Sequence, residues 1–214
     1  MRKENIFEKS MWFIFLFFIC GIVVYGIWKK NNSTNDEIKN QIQFPIRNFT
    51  LINQYGNEVA KNNFKNKITI VDFIFTNCSG TCPMMTGKML EFFQMFKYED
   101  NVKFLSISVD PKNDTPQKFL EYASQYGVGP KHQGNDSTKW QFLTGDRKYI
   151  YDLSLKDFKL AFDIDTTQAD YILHSQKFIL LNPNAEIIGY YDSEDENKMK
   201  ELYFTIKKFL IQNK

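Results

Sequence analysis

The sequence predicts an α/β domain in which helices flank a mixed sheet. Three observations carry this. Apolar runs rich in β-branched and aromatic residues, Ile68–Phe75 and Val102–Val109, read as buried strands. Each leads into a helix-starting signal: Pro83 after the first, Thr115-Pro116 after the second. The chain then closes on a hairpin pattern, Tyr171–Leu181 and Glu186–Tyr191 about Asn182-Pro183-Asn184-Ala185, and on a helix over 194–211.

The N-terminus comes first in order. Residues 1–10 form a short tail of mixed charge, and Met11 to Trp28 are eighteen residues without a charge. At the helical rise they span about 27 Å, enough for the hydrocarbon core of a bilayer. Trp28-Lys29-Lys30-Asn31 offers no small-residue cleavage site, and Ile19 stands where a lipoprotein signal needs a small residue before Cys20. The expectation is an uncleaved transmembrane helix over 11–28. Lys and Arg flank both ends, so charge counting gives little orientation. The leader contains Glu4 and Glu8, unlike an organelle transit peptide, which points to a bacterium. Residues 29–43 are polar and rich in Asn and Lys, the composition of a linker.

Residues 44–214 are the globular domain. Phe49–Ile52 and Glu58–Ala60 about Gln54-Tyr55-Gly56-Asn57 form a hairpin. Behind Pro83, residues Met85, Met89, Phe92, Phe93 and Phe96 make the apolar stripe of a helix to about Lys97. A second helix runs from Thr115-Pro116 to about Tyr126. Gly127–Lys139 is a polar loop containing His132, read as an exposed loop residue. Trp140–Leu143 is a short strand and Asp146–Leu155 a helix. The last helix places Met199, Leu202, Ile206 and Phe209 on one face.

With 27 basic against 25 acidic residues, the net charge of +2 gives no reason to expect nucleic acid or an acidic substrate. Outside the N-terminal apolar run only two cysteines remain, Cys78 and Cys82, too few for a disulfide framework. They sit four positions apart where a strand hands over to a helix N-terminus, whose partial positive charge favours thiolate over thiol. Thiolates serve both soft-metal binding and disulfide exchange. Met84, Met85 and Met89 follow, and helical spacing assigns the last two to the core. Asp110 is expected in the strand-ending turn and Asp114 at the start of the next helix.

Four blocks in order carry a family resemblance. They are Phe75-Thr76-Asn77-Cys78 through Cys82-Pro83, Ser106-Ile107-Ser108-Val109-Asp110-Pro111-Lys112-Asn113-Asp114-Thr115-Pro116, Trp140–Gly145, and His174-Ser175. Together, over roughly residues 46 to 192, they resemble the Sco/SenC family of thioredoxin-like, copper-binding proteins of cytochrome c oxidase assembly. Ser79 and Gly80 stand where that family has Pro and often an acid, and Leu173 stands where it often has Asp.

The resemblance implies a thioredoxin-like mixed sheet flanked by helices and a copper site of Cys78, Cys82 and His174. An isolated histidine at a strand edge would read as an ordinary polar residue; the family match makes His174 a ligand. Two thiolates and one imidazole suit Cu(I) and also accommodate Cu(II). The implied function is that of a metallochaperone in a bacterial inner (cytoplasmic) membrane, single-pass, its soluble domain facing the periplasm or cell exterior. It would deliver copper to the dinuclear centre of a respiratory cytochrome c oxidase. Implied partners are the copper-bearing oxidase subunit, a copper donor protein, a thiol reductant and the membrane.

The alternative is an enzyme: a thiol–disulfide oxidoreductase that keeps the oxidase's copper-ligand cysteines reduced, Cys78 attacking and Cys82 resolving as a redox-active pair. A thiolate peroxidase is a third class. Thioredoxins depend on a cis-proline beside their cysteine pair. No proline lies between Pro130 and Pro183, which favours metal over exchange catalysis.

Overall fold

The computed structural model describes residues 18–25, 44–78, 80–129, 138–160, 163–164 and 173–212, with backbone alone for 163–164 and 173–174. The chain divides into two units, Met1–Gln41 and Ile42–Lys214. In the first, residues 18–25 are helical. Most of the predicted membrane span, 11–28, lies outside the described residues. No helix among the described residues is long and apolar enough to cross a membrane.

The second unit is built on β4 (Ile68–Ile74) and β5 (Val102–Ser108), seven residues each and buried throughout. Runs buried on both faces suit the middle of a sheet covered by helices on either side. The two pair in parallel from Ile68↔Val102 to Ile74↔Ser108, and β6 (Trp140–Thr144) extends the parallel set. The connections that cross between these strands are α1 (Thr81–Phe96) and α2 (Pro116–Gln125). On one side β9 (Lys177–Leu181), β10 (Glu186–Asp192) and β1 (Phe44–Pro45) add antiparallel. On the other come β2 (Thr50–Asn53) and β3 (Glu58–Ala60). The eight-stranded order is β1-β10-β9-β4-β5-β6-β2-β3. Gly56, at φ +78°, supplies the left-handed residue of the β2–β3 turn.

The stripe predicted for α1 is the buried one: Met85, Met89, Phe92, Phe93 and Phe96. Phe93 packs edge-on against Phe104 of β5 and 5.6 Å from Trp140 of β6, which stacks on Phe142. α3 (Arg147–Asp152) is capped by Asp146, whose carboxylate accepts from Tyr149 N, and runs into a π-turn over Leu153–Asp157. α4 (Glu196–Gln212) buries Met199, Leu202, Ile206 and Phe209 as its spacing predicts.

Three details differ from the sequence reading. α1 begins at Thr81, so Pro83 is its third residue rather than its first. The first four N–H groups of a helix have no partner within it, so proline is tolerated anywhere in that turn. The strand expected over Tyr171–Leu181 is interrupted. Leu173–His174 form β8, which pairs with β7 (Asp163–Ile164) in a separate two-stranded sheet, and β9 starts only at Lys177. Between them Ser175 Oγ accepts from Lys177 N at 3.4 Å, a local bond that competes with the ladder. Finally, Thr115 caps α2 as expected, its hydroxyl accepting from Lys118 N, but the Asp114 side chain, expected to help start that helix, bonds to Thr76 and Ser108 instead.

Candidate functional site

β4 delivers the chain to the cysteine loop at the same sheet edge where β5 delivers Asp110–Asp114. Val109 N donates to Ile74 O at 2.9 Å and holds the two exits together. Cys78 is half-buried in the turn after β4; Cys82, in the first turn of α1, is 5% exposed. Both are free thiols. The Cys82 backbone N–H donates to Cys78 Sγ at 3.5 Å, so the helix mouth points at the more exposed sulfur.

For Cys82 the expected preference for thiolate does not hold. Burial pushes its thiol well up, and Cys78 and Asp72 push the same way against the Phe75 backbone. A helix N-terminus contributes about 0.3–1 kcal/mol, whereas full burial moves a thiol by several times that. Cys82 is therefore protonated at neutral pH and gives up its proton only to a partner that replaces it.

Asp72 is a residue that the sequence reading passed over inside an apolar run. It is wholly buried on β4, and both carboxyl oxygens lack a hydrogen-bond partner. Burial raises its pKa from 3.8 to about 7. The Ser106 hydroxyl, directly across the β4–β5 ladder, offsets part of that rise from outside regular hydrogen-bond geometry, and it accepts from Trp140 Nε1. The signal was present: one acid among seven otherwise uncharged strand residues.

Asp114 is equally buried and fully satisfied. One oxygen accepts from Thr76 N (3.1 Å) and Thr76 Oγ1 (2.6 Å), the other from Ser108 Oγ (2.6 Å). Burial still raises its pKa against these donors, and Asp110 adds to the rise. Asp110 sits in the strand-ending turn, as expected, its carbonyl accepting from Asn113 N and Asp114 N. Met85 and Met89 are buried in the core, whereas Met84 is 55% exposed beside Pro83.

His174 lies in β8 with its backbone opposite Asp163; its side chain is outside the described residues, as is His132. Among the described residues no group of three His, Cys, Asp or Glu side chains is arranged to hold a metal ion. The structure thus brings Cys78 and Cys82 together at the mouth of α1.

Comparison with known proteins supplies the family. The family model described as SCO1/SenC matches residues 39–210. The chain belongs to the SCO1/SenC family. Among SCO1/SenC relatives, the SCO1 protein homolog of Bacillus subtilis is 30% identical over 173 residues, 80% of this chain and 86% of the relative. A solved structure of BsSco, a member of the Sco family of cytochrome c oxidase assembly proteins in which a disulfide switch was identified, is 28% identical. It superposes with a TM-score of 0.66 over 80% of this chain and 96% of that one. Arabidopsis thaliana ScoI, solved with copper bound, is 25% identical with a TM-score of 0.61 over 78% and 98%. The thioredoxin-like α/β arrangement expected from the four sequence blocks is the one these SCO1/SenC structures share with this chain.

Proposed function

We propose that this protein is a membrane-tethered copper metallochaperone that delivers copper to the dinuclear copper centre of a respiratory cytochrome c oxidase. The observation that carries the reading is the pair of free sulfurs at the mouth of α1, with the Cys82 N–H directed at Cys78 Sγ. Copper-bound ScoI is a structural relative, and so is an oxidase assembly protein, which supports copper as the cargo and the oxidase as its destination. The two cysteines and His174 supply a three-donor N/S set suited to Cu(I) and able to accept Cu(II). Their cargo moves by exchange of shared ligands with a copper donor protein and then with the oxidase subunit. The apolar segment 11–28 anchors the chain in the bacterial inner membrane, with the domain on the periplasmic or outer side.

Binding a metal to two thiols displaces their protons, and binding is closed to the oxidised disulfide. A thiol reductant is therefore part of the cycle. The second reading, a thiol–disulfide oxidoreductase acting through Cys78 and Cys82, is favoured by the proximity of two free sulfurs and by the disulfide switch of the BsSco relative.

Metal analysis of purified protein, reduced and oxidised, beside His174→Ala tests the proposal. The expected result is one copper per chain for the reduced protein, little for the oxidised one, and severely weakened Cu(II) binding in His174→Ala. An unchanged Cu(II) affinity and spectrum in that variant removes the histidine from the site. Copper uptake by the oxidised protein removes the coupling.

A further inference from the structure

We propose that Asp114 is a positioning residue for Cys78, acting through Thr76 as a clamp between the exits of β4 and β5. The residue is wholly buried, yet its carboxylate reaches across 38 positions of sequence to the cysteine loop. Thr76 gives both its N–H and its hydroxyl to a single oxygen, at 3.1 and 2.6 Å. Ser108, the last residue of β5, gives its hydroxyl to the other oxygen at 2.6 Å. Ser108 Oγ in turn accepts from Asp110 N at 3.0 Å, and Asp110 O accepts from Asp114 N at 2.9 Å. The chain of bonds closes on itself.

A buried carboxylate with three donors is a short, strong and directional bridge. Capping does not explain it, because Thr115 already caps α2. The structure gives the bridge a different target. Only Asn77 separates Thr76 from Cys78, so holding the backbone nitrogen and the hydroxyl of Thr76 fixes where Cys78 begins. The backbone tie on Cys78 is long: its N–H donates to Phe75 O at 3.4 Å. The sulfur that receives the Cys82 N–H is thus placed from β5 as much as from β4. Preorganisation of two sulfurs raises their effective concentration toward each other and toward any shared ion.

The test uses Thr76→Val, which removes one donor at constant shape, Asp114→Asn, and the double variant. The first readout needs no metal: the equilibrium of the Cys78–Cys82 pair against dithiothreitol, in which oxidised dithiothreitol and the dithiol exchange to the protein disulfide and reduced dithiothreitol. Each single variant is expected to shift it toward the dithiol by about tenfold, and the double variant no further than Asp114→Asn alone. Cu(I) affinity, measured by competition with a chromophoric chelator, should fall by about tenfold in parallel; this second readout rests on the copper reading. An unchanged thiol equilibrium in Thr76→Val, or additive shifts in the double variant, overturns the clamp. Wild-type protein that binds no Cu(I) overturns the copper reading instead, and the thiol equilibrium still decides the clamp. Should Asp114→Asn not fold, Thr76→Val gives the same decision.

Discussion

In an Asp72→Asn variant the shape of the buried side chain stays almost constant while its ability to ionise is lost. Burial holds the native carboxyl at about 7 against an ordinary 3.8. At about 1.36 kcal/mol per unit, that difference amounts to roughly 4 kcal/mol of destabilisation once both states are ionised. The sign follows from which state binds the proton more tightly. Here the folded state does, so the penalty is absent below about pH 4, grows as the pH climbs toward 7, and is constant above it. Roughly 2–3 kcal/mol of it accrues between pH 5 and pH 8. The amide is left without a partner at a cost of about 1–3 kcal/mol, close to the cost of the protonated acid it replaces. Urea unfolding of the reduced, metal-free proteins at pH 5 and pH 8 should therefore show the variant gaining on wild type as the pH rises. A difference between the two proteins that moves by less than about 0.5 kcal/mol over that range would refute the dry, unpartnered carboxyl, since surface charges cancel in the subtraction.

Two further outcomes bear on the sulfurs. Cys78→Ser and Cys82→Ser should each abolish tight Cu(I) binding while leaving the unfolding free energy of the reduced protein, from urea titration, within about 1 kcal/mol of wild type; retained binding in either variant removes that sulfur from the site. Because Cys82 stays protonated through neutral pH, a metal must displace its proton. Cu(I) affinity should then fall by at least about tenfold for each unit of acidification between pH 8 and pH 6. A flat profile in chelator competition excludes the buried thiol as a ligand.

What the sequence disclosed was local. The buried strands 68–74 and 102–108, the apolar stripe of α1, the Thr115 cap and the cysteine loop all leave marks within a few residues of themselves. What stayed hidden depends on distance along the chain. Asp114 has the composition of a helix start, and only the parallel register of β4 with β5 brings it to Thr76. Asp72 stood inside an apolar run, where pattern reading registers the run and overlooks the exception. The break at Ser175 and Gln176 escaped notice because flanking apolar residues outvote two polar ones in any hydrophobicity count, whereas a single Ser175 hydroxyl bond marks the break in the strand. His174 is named as a ligand by resemblance alone, since a lone histidine at the end of a two-residue strand has no spacing of its own.

The unequal exposure of the two sulfurs sets an order of events. A visiting thiol, chelator or partner loop meets Cys78 first, because Cys82 lies behind it at 5% exposure. Under the proposed copper delivery, an incoming donor would reach the ion on the Cys78 side and displace that sulfur first, and the inner one would let go last. On that proposal, such an arrangement would keep a bound ion through a glancing collision and part with it only to a caller that stays long enough to supply a second donor.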